Sequence, residues 1–262
     1  MIDFHNHILP GVDDGAKTIE ESIEMIRCAE HQGITDIVST VHYQHPKMEG
    51  KNTSYDFILS VKDRLVEEIY TQNINMNIHL GAEVFFNFNL LDIIDNPIVT
   101  FLNHKYMLVE FQIHQFPKNF DEHLYNLAIS GIKPIIAHPE RYKPVQDDIA
   151  IIEKLINSGC MVQVDAGSIL GHFGNKCKLA AKELLIRNMV HIIGSDAHGL
   201  GKRNFCLKEA VTEIEKFIEY DVTPLVLDNP RKIINGDFFE IPNFDYKKSK
   251  NTIFTFISNF LK

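Results

Sequence analysis

Met1-Ile2-Asp3-Phe4-His5-Asn6-His7 opens the chain, and the residues just after its short apolar run 2–4 decide the fold. An open, doubly wound sheet of the dinucleotide-binding type carries a glycine-rich turn after its first strand. Here that place holds His5-Asn6-His7, succeeded by the turn-rich Leu9-Pro10-Gly11-Val12-Asp13-Asp14-Gly15. Two histidines at i and i+2 on an extended segment project to one side, so His5 and His7 can hold a single ion together. A parallel barrel, which gathers its functional groups at the C-terminal ends of its strands, accommodates that pair.

Outward from this segment, strands and helices alternate. Thr18, with Glu21 three residues on, makes a capping box ahead of Ile19, Ile23, Ile26 and Ala29, which share a helical face, and Gly33 ends that helix. Further strands are predicted at 34–40, 76–80, 107–111, 134–137, 161–164 and 190–193. Helices are predicted at 55–70, 121–130, 147–158, 178–188 and 205–219, the first with Ile58, Leu59, Leu65, Val66 and Ile69 on its apolar side. This alternation implies a parallel sheet buried on both faces. The expected fold is α/β: a (β/α) barrel, incomplete with seven strands, with its site at the C-terminal strand ends. A single domain spans 1–262, with 221–262, which contains Pro224, Pro230, Pro242 and the apolar run 253–261, capping it from outside.

Composition narrows the function. A chain of 262 residues permits one large domain or two small ones, and no linker or internal repeat divides it. Hydrophobic residues at 45% and charged residues at 23% exclude a disordered chain. The net charge of −9 argues against nucleic acid as a partner and leaves room for a small phosphorylated group. Cys28, Cys160, Cys177 and Cys206 form no C-x-x-C pair and read as reduced core residues. None is followed by arginine at the sixth position, which disfavours a covalent phosphocysteine route. Without a leader-like start or a membrane-length apolar run, the expected location is the cytoplasm, with no membrane insertion.

The strand ends carry the chemistry. Strand one ends in His5 and His7, strand two in His42, strand three in Glu83, strand four in Glu110, strand five in His138, strand six in Asp165, and strand seven in Asp196 and His198. Asp14 lies on the loop after strand one. A lone H-x-H is a weak signal, and Glu83 or Glu110 alone reads as a surface charge. Each carboxylate, however, comes directly after an apolar strand, where an unpaired charge is costly. His5, His7, Asp14, His42, Glu83, Glu110, His138, Asp196 and His198 offer nitrogen and oxygen donors without thiolate. That set exceeds the needs of one ion and suits two or three divalent ions, manganese first, with iron, zinc or magnesium as alternatives.

Arg141, in His138-Pro139-Glu140-Arg141, and Arg203, in the loop after His198, lean over the same end. Their planar forks suit phosphate oxygens, although Arg141 taken alone reads equally as an ion pair to Glu140 or Asp165. Arg141, Arg203 and His198 form the expected catalytic set. His31, His79, His104, His123 and His191 are assigned structural or solvated roles; His45, His114 and His172 lie in loops at the active end, where they could touch substrate, and the structural or solvated reading is favoured for them as well.

Together these segments resemble the polymerase and histidinol phosphatase (PHP) family of metal-dependent phosphoesterases. Within it, they resemble the bacterial tyrosine-protein phosphatases that act with capsule or exopolysaccharide systems. The resemblance is carried by the block from His5-Asn6-His7 through Leu9-Pro10-Gly11-Val12-Asp13-Asp14-Gly15, and by Gly81-Ala82-Glu83, His138-Pro139-Glu140-Arg141-Tyr142, Asp165-Ala166-Gly167-Ser168 and Gly194-Ser195-Asp196-Ala197-His198, and it runs from residue 1 to about residue 235. It implies a distorted seven-stranded (β/α) barrel of PHP type with a trinuclear site on the same nine donors, and with Arg141 and Arg203 on the phosphate. It also implies, as substrate, the phosphorylated tyrosine-rich tail of a tyrosine autokinase of polysaccharide export. Thr40-Val41-His42 departs from the family's Thr-Pro-His, losing a rigid residue and keeping the histidine. The loop 43–54 and the loop after His198 are where substrate contacts would differ.

The expected reaction is hydrolysis of a phosphotyrosine ester by a metal-bound hydroxide, with the arginines supplying positioning and charge stabilisation. Its rivals are a histidinol-phosphate phosphatase or other small phosphomonoesterase, a phosphodiesterase or exonuclease, which the acidic balance weakens, and a non-catalytic, metal-stabilised phosphotyrosine-binding protein.

Overall fold

A computed structural model of the chain describes residues 1–238. Its seven strands are β1 (Ile2–Asn6), β2 (Asp36–Tyr43), β3 (Asn77–Phe85), β4 (Tyr106–Glu110), β5 (Lys133–Ala137), β6 (Met161–Asp165) and β7 (Ile192–Gly194). All pair in parallel and stand in sequence order across one sheet. The sheet curls until its last strand meets its first. His7 N–H donates to the Ala197 carbonyl at 2.8 Å and Asp196 N–H to the His5 carbonyl at 2.7 Å, which nearly closes the barrel.

The connections carry α1 (Ile19–His31), α2 (Tyr55–Thr71), α3 (Phe120–Ile129), α4 (Lys143–Asp147), α5 (Ala150–Asn157), α6 (Ala166–Leu170), α7 (Asn175–Ile186), α8 (Leu207–Ile214) and α9 (Asn229–Asn235). The caps expected for α1 are present. Thr18 Oγ1 accepts from Glu21 N–H at 3.3 Å, and the Glu21 carboxylate accepts from Lys17 N–H at 2.8 Å. At the other end Gly33, at φ +79°, lets its own N–H reach Glu30 O and the Ile34 N–H reach Ala29 O, the paired bonds of a glycine stop.

Helix α2 buries Ile58, Val61, Leu65 and Ile69. Val66, expected on that face, is exposed, and Leu59 is half-buried. A residue one step beyond Leu65 is turned about 100° away from the core, and Val61 fills the place instead. The helix expected over 205–219 is confined to α8.

Two apolar layers sandwich the sheet. The larger lies between strands and helices; the smaller fills the barrel with Ile2, Phe4, Val38, Leu108, Ile135 and Ile192, among others, closed off by Phe101 and Ile233. Ile233 belongs to α9, so the segment after 221 does not simply lie outside: it contributes to the barrel's own core. Asn103 Nδ2 donates to the Ile233 carbonyl at 2.7 Å and Asn229 Nδ2 to the His191 carbonyl at 2.8 Å, which holds α9 in place. Pro242 and the run 253–261 lie outside the described residues. All four cysteines are free thiols, and among the described residues no helix is long and apolar enough to cross a membrane.

Candidate metal centre

The pairing of β1 with β2 slips between Asp3 and Asn6. Phe4 therefore packs into the barrel's apolar core while His5, its neighbour, also reaches the carboxylates above it. His5 Nε2 lies 3.2 Å from Glu83 Oε2 and 3.5 Å from Asp196 Oδ1; His7 Nε2 is 3.4 Å from each. The pair thus shares one set of partners, as the i, i+2 spacing requires.

Glu83 occupies the middle of the cluster. Its Oε2 stands 3.2 Å from His42 Nδ1, and its Oε1 stands 2.7 Å from His138 Nε2. Glu110 closes one side, 3.8 Å from His42 and 4.0 Å from His138, and Asp14 the other, 3.3 Å from His42 Nε2 and 3.2 Å from His198 Nε2. Three groups result, each with its donor atoms within 4.8 Å of one another: His7, Asp14, His42 and His198; His5, His7, Glu83 and Asp196; and His42, Glu83 and Glu110. His138 joins through its contacts with Glu83 and Glu110, so all nine sequence-selected donors converge. Strand β3 runs two residues past Glu83, whereas β7 stops two residues short of Asp196. The ends are therefore less uniform than the strand-end rule implies.

Backbone geometry aims several of these groups. His138 at φ +31° and Asp196 at φ +47° are non-glycine residues in the left-handed region, each turning the chain just beyond its strand. Such conformations cost roughly 1–3 kcal/mol and persist where the surroundings enforce them. Gly15 and Gly194 permit close approach: a Cβ on Gly15 would stand 1.9 Å from the His7 carbonyl oxygen, and one on Gly194 2.6 Å from the His5 Cβ.

Three of the histidines are held from behind. His5 Nδ1 donates to Gln163 Oε1 at 3.0 Å, His7 Nδ1 to Asp13 Oδ2 at 2.8 Å and His198 Nδ1 to the Asp196 carbonyl at 2.9 Å. Each bond fixes the ring with Nε2 turned to the cluster, where it would offer its lone pair to a cation that displaces the proton, the arrangement found behind metal-bound imidazoles. Asp13 also accepts from the backbone N–H of His42 and of Gly15, tying three parts of the site together. Burial works against its charge, yet His7 and His42 hold its carboxyl well below the usual range.

The residues present fit divalent cations. His5 Nε2, His7 Nε2, His42 Nδ1, Glu110 Oε2 and Asp196 Oδ1 are buried and have no hydrogen-bond partner among the described residues. Orphaned donors and acceptors are costly unless something else satisfies them. The field also calls for positive charge: burial depresses His5, but Glu83 and Asp196 outweigh it and push the imidazole up to about 9. Burial, with the charges of Glu83 and Asp196, pushes the Glu110 carboxyl well above its ordinary value.

The arginines stand where the sequence placed them. Arg141 Nη1 donates to Asp196 Oδ2 at 2.5 Å and to Asp165 Oδ2 at 3.4 Å; Arg203 Nη2 donates to the same Asp196 oxygen at 2.6 Å. Both guanidiniums lie over the Phe173 ring, at 4.4 and 5.9 Å. Asp165 stands behind Arg141, outside the three donor groups, and caps α6 through the Gly167 N–H.

Sequence reasoning missed Asp13 and Gln163, and it placed His45 at the active end while favouring a structural or solvated role for it. His45 lies 3.7 Å from Glu110 Oε2 with its ring 4.6 Å from that of His42. Its three-residue spacing from His42 was the available signal. Burial and the neighbouring His42 lower it to about 4, so it stays neutral. His114 is exposed and His172 half-buried beside Gly167.

Comparison with known proteins gives the same picture. The family model described as "Capsular polysaccharide synthesis, CpsB/CapC" matches residues 1–235. CapC of Staphylococcus aureus is 34% identical over 256 residues, covering 95% of this chain and 98% of the relative. The tyrosine-protein phosphatase CpsB of Streptococcus pneumoniae is 32% identical over 242 residues, covering 89% and 98%. A crystal structure from work on YwqE of Bacillus subtilis and CpsB of Streptococcus pneumoniae, described as unique metal-dependent tyrosine phosphatases, superposes with a TM-score of 0.86 at 30% identity over 94% of this chain and 98% of that one.

Proposed function

Since the chain belongs to the capsular polysaccharide synthesis CpsB/CapC family, we propose that it is a metal-dependent protein-tyrosine phosphatase. One observation carries the reading: buried, unpartnered His and carboxylate atoms converge at the barrel mouth beside two guanidiniums that meet on Asp196. His5, His7, Asp14, His42, Glu83, Glu110, His138, Asp196 and His198 would hold two or three divalent ions, manganese first.

Ions held there would supply an activated water, its pKa lowered from ~15.7 toward ~7, and positive charge for the phosphoryl oxygens. The rest of the work falls to the chain. Arg141 and Arg203 orient the phosphate and offset its growing charge, held in place by Asp196, Asp165 and the face of Phe173. His198, next to them, is the third member of the catalytic set. Asp13 and Gln163 keep His7 and His5 in the tautomer that presents Nε2. A phenolate leaving group, with a pKa of ~10, makes modest demands on protonation. The substrates are phosphotyrosine proteins, foremost a tyrosine autokinase of polysaccharide export, and the location is the cytoplasm. We read the chain as one phosphoesterase domain, in which the described part of the segment after 221, through residue 238, caps the barrel and adds Ile233 to its core.

The test is phosphate release in Mn²⁺ from a phosphotyrosine peptide, a phosphoserine peptide and histidinol phosphate, with a chelator control. Chelator-sensitive preference for phosphotyrosine is expected. Preference for histidinol phosphate would move the activity to a small amine substrate, and absence of turnover would favour a phosphotyrosine-binding role.

A further inference from the structure

Beyond the metal cluster, β3 and β4 run on into aromatic sequence. Phe85, Phe86 and Phe88 come after Glu83, and Phe111 after Glu110, and with Asn87, Gln112, Gln115 and Pro117 these residues line a recess of about 260 Å³. Its walls are fixed by one another: Phe86 stacks on Phe111 with ring centroids 4.9 Å apart, and Phe88 meets Phe86 edge-on at 5.7 Å. Phe111 is braced from behind by Phe116 and Phe120. A ring-to-ring path joins the recess to the site, because His45 packs edge-on against Phe85 at 5.0 Å and lies 3.7 Å from Glu110.

We infer that this recess is a specificity subsite that takes one bulky apolar side chain, aromatic or long aliphatic, from a residue flanking the phosphotyrosine of a protein substrate. The inference rests on the phosphatase reading above. Size favours a single side chain, since sites that enclose a whole drug-sized ligand run to roughly 300–1,000 Å³. Phe88 at the rim is 59% exposed, an arrangement that leaves a large aromatic surface in water unless something covers it. Reach agrees as well. Phe85 lies two strand residues beyond Glu83, about 7 Å along β3, and an extended peptide places its i±2 side chain about the same distance away and on the same side. A polypeptide whose phosphate sits at the cluster therefore brings its near neighbours over the recess. The exposed amides of Asn87, Gln112 and Gln115 stand ready at the mouth for that peptide's backbone.

The experiment compares the Mn²⁺-loaded wild-type protein with Phe88→Ala on two kinds of substrate. One is para-nitrophenyl phosphate, which carries no flanking residue to reach the recess while its phosphate sits at the cluster. The other is a set of phosphotyrosine peptides in an alanine background with a single phenylalanine at −2, −1, +1 or +2. One of these positions is expected to lower the wild-type KM on the order of 10-fold relative to the all-alanine peptide, with kcat unchanged. Phe88→Ala is expected to erase that preference and leave para-nitrophenyl phosphate kinetics unaltered; Phe88→Trp is expected to retain it. Equal kcat/KM for all peptides, or equal loss on both kinds of substrate, overturns the subsite while leaving the phosphatase in place. Absence of turnover on every substrate overturns the phosphatase reading and the subsite with it.

Discussion

At the scale of single residues, the division between the groups that face the cluster and the groups behind them makes separable predictions. Glu110 touches the cluster through an oxygen with no other partner, so Glu110→Gln should fold normally and lower kcat by at least about 100-fold. Circular dichroism and phosphate release together check this, and preserved turnover would remove Glu110 from the metal set. Asp13 acts only through His7 and two backbone N–H groups. Asp13→Asn should therefore weaken Mn²⁺ binding about 10–100-fold, read by calorimetric titration, while activity at saturating metal recovers most of its wild-type value. The nine facing groups were legible from sequence because strand ends and i, i+2 spacing are local properties. Asp13, Gln163 and His45 were not, because each depends on where a loop or a distant strand brings its side chain: Gln163 is 158 residues from His5 in sequence.

Elements explain why the donors meet at all. The slip in β1 turns both Phe4 and His5 to use, one into the apolar filling and one into the site, and no period-2 reading of Ile2-Asp3-Phe4-His5 foretells it. The caps of α1 were legible, because Thr18, Glu21 and Gly33 act within one turn of themselves. The face of α2 was misread at Val66, where an apolar residue lies outside the buried stripe. The junction of β6 with β7 supplies a pH prediction. His191 accepts from Val162 N–H through Nδ1 and is buried, and that burial, with Lys133 nearby, lowers it to about 4. Its unfolded value is about 6.5, so the folded state binds that proton less readily. Stability from this residue is complete above about pH 6.5 and is lost as pH falls toward 4, about 2 kcal/mol of it by pH 5. Urea midpoints at pH 7 and 5 should show His191→Asn losing less stability over that interval than the wild type. Parallel losses would mean that His191 is not a source of the acid sensitivity.

For the molecule as a whole, the barrel closes at the site. The seam between β1 and β7 is joined by the His7 and Asp196 backbone bonds, and Ser195 N–H donates across it to the buried Asp3 carboxylate at 3.1 Å. The residues that complete the barrel are thus the residues proposed to carry ligand atoms, or their neighbours. Four carboxyl groups, Asp14, Glu83, Glu110 and Asp196, stand together there, balanced by Arg141, Arg203, the protons that the field retains on His5 and His7, and the upward shift of Glu110. Bound cations would replace that makeshift balance and tie β1, β2, β3, β4, β5 and β7 to one centre, so metal should stabilise the fold as well as supply chemistry. A ligand at 100 times its dissociation constant adds about 2.7 kcal/mol to the stability of the state that binds it. In a chain of this size each kcal/mol moves Tm by about 2–4 °C. Adding Mn²⁺ to chelated protein at constant ionic strength should then raise Tm by about 5–10 °C, with Na⁺ as the inert control. Asp196→Asn should abolish most of the rise, since it weakens both the metal set and the anchor shared by the two arginines. A Tm indifferent to divalent ions in the wild type would mean that the unpartnered atoms at the barrel mouth are satisfied by something other than metal, and the proposed centre would fall with it.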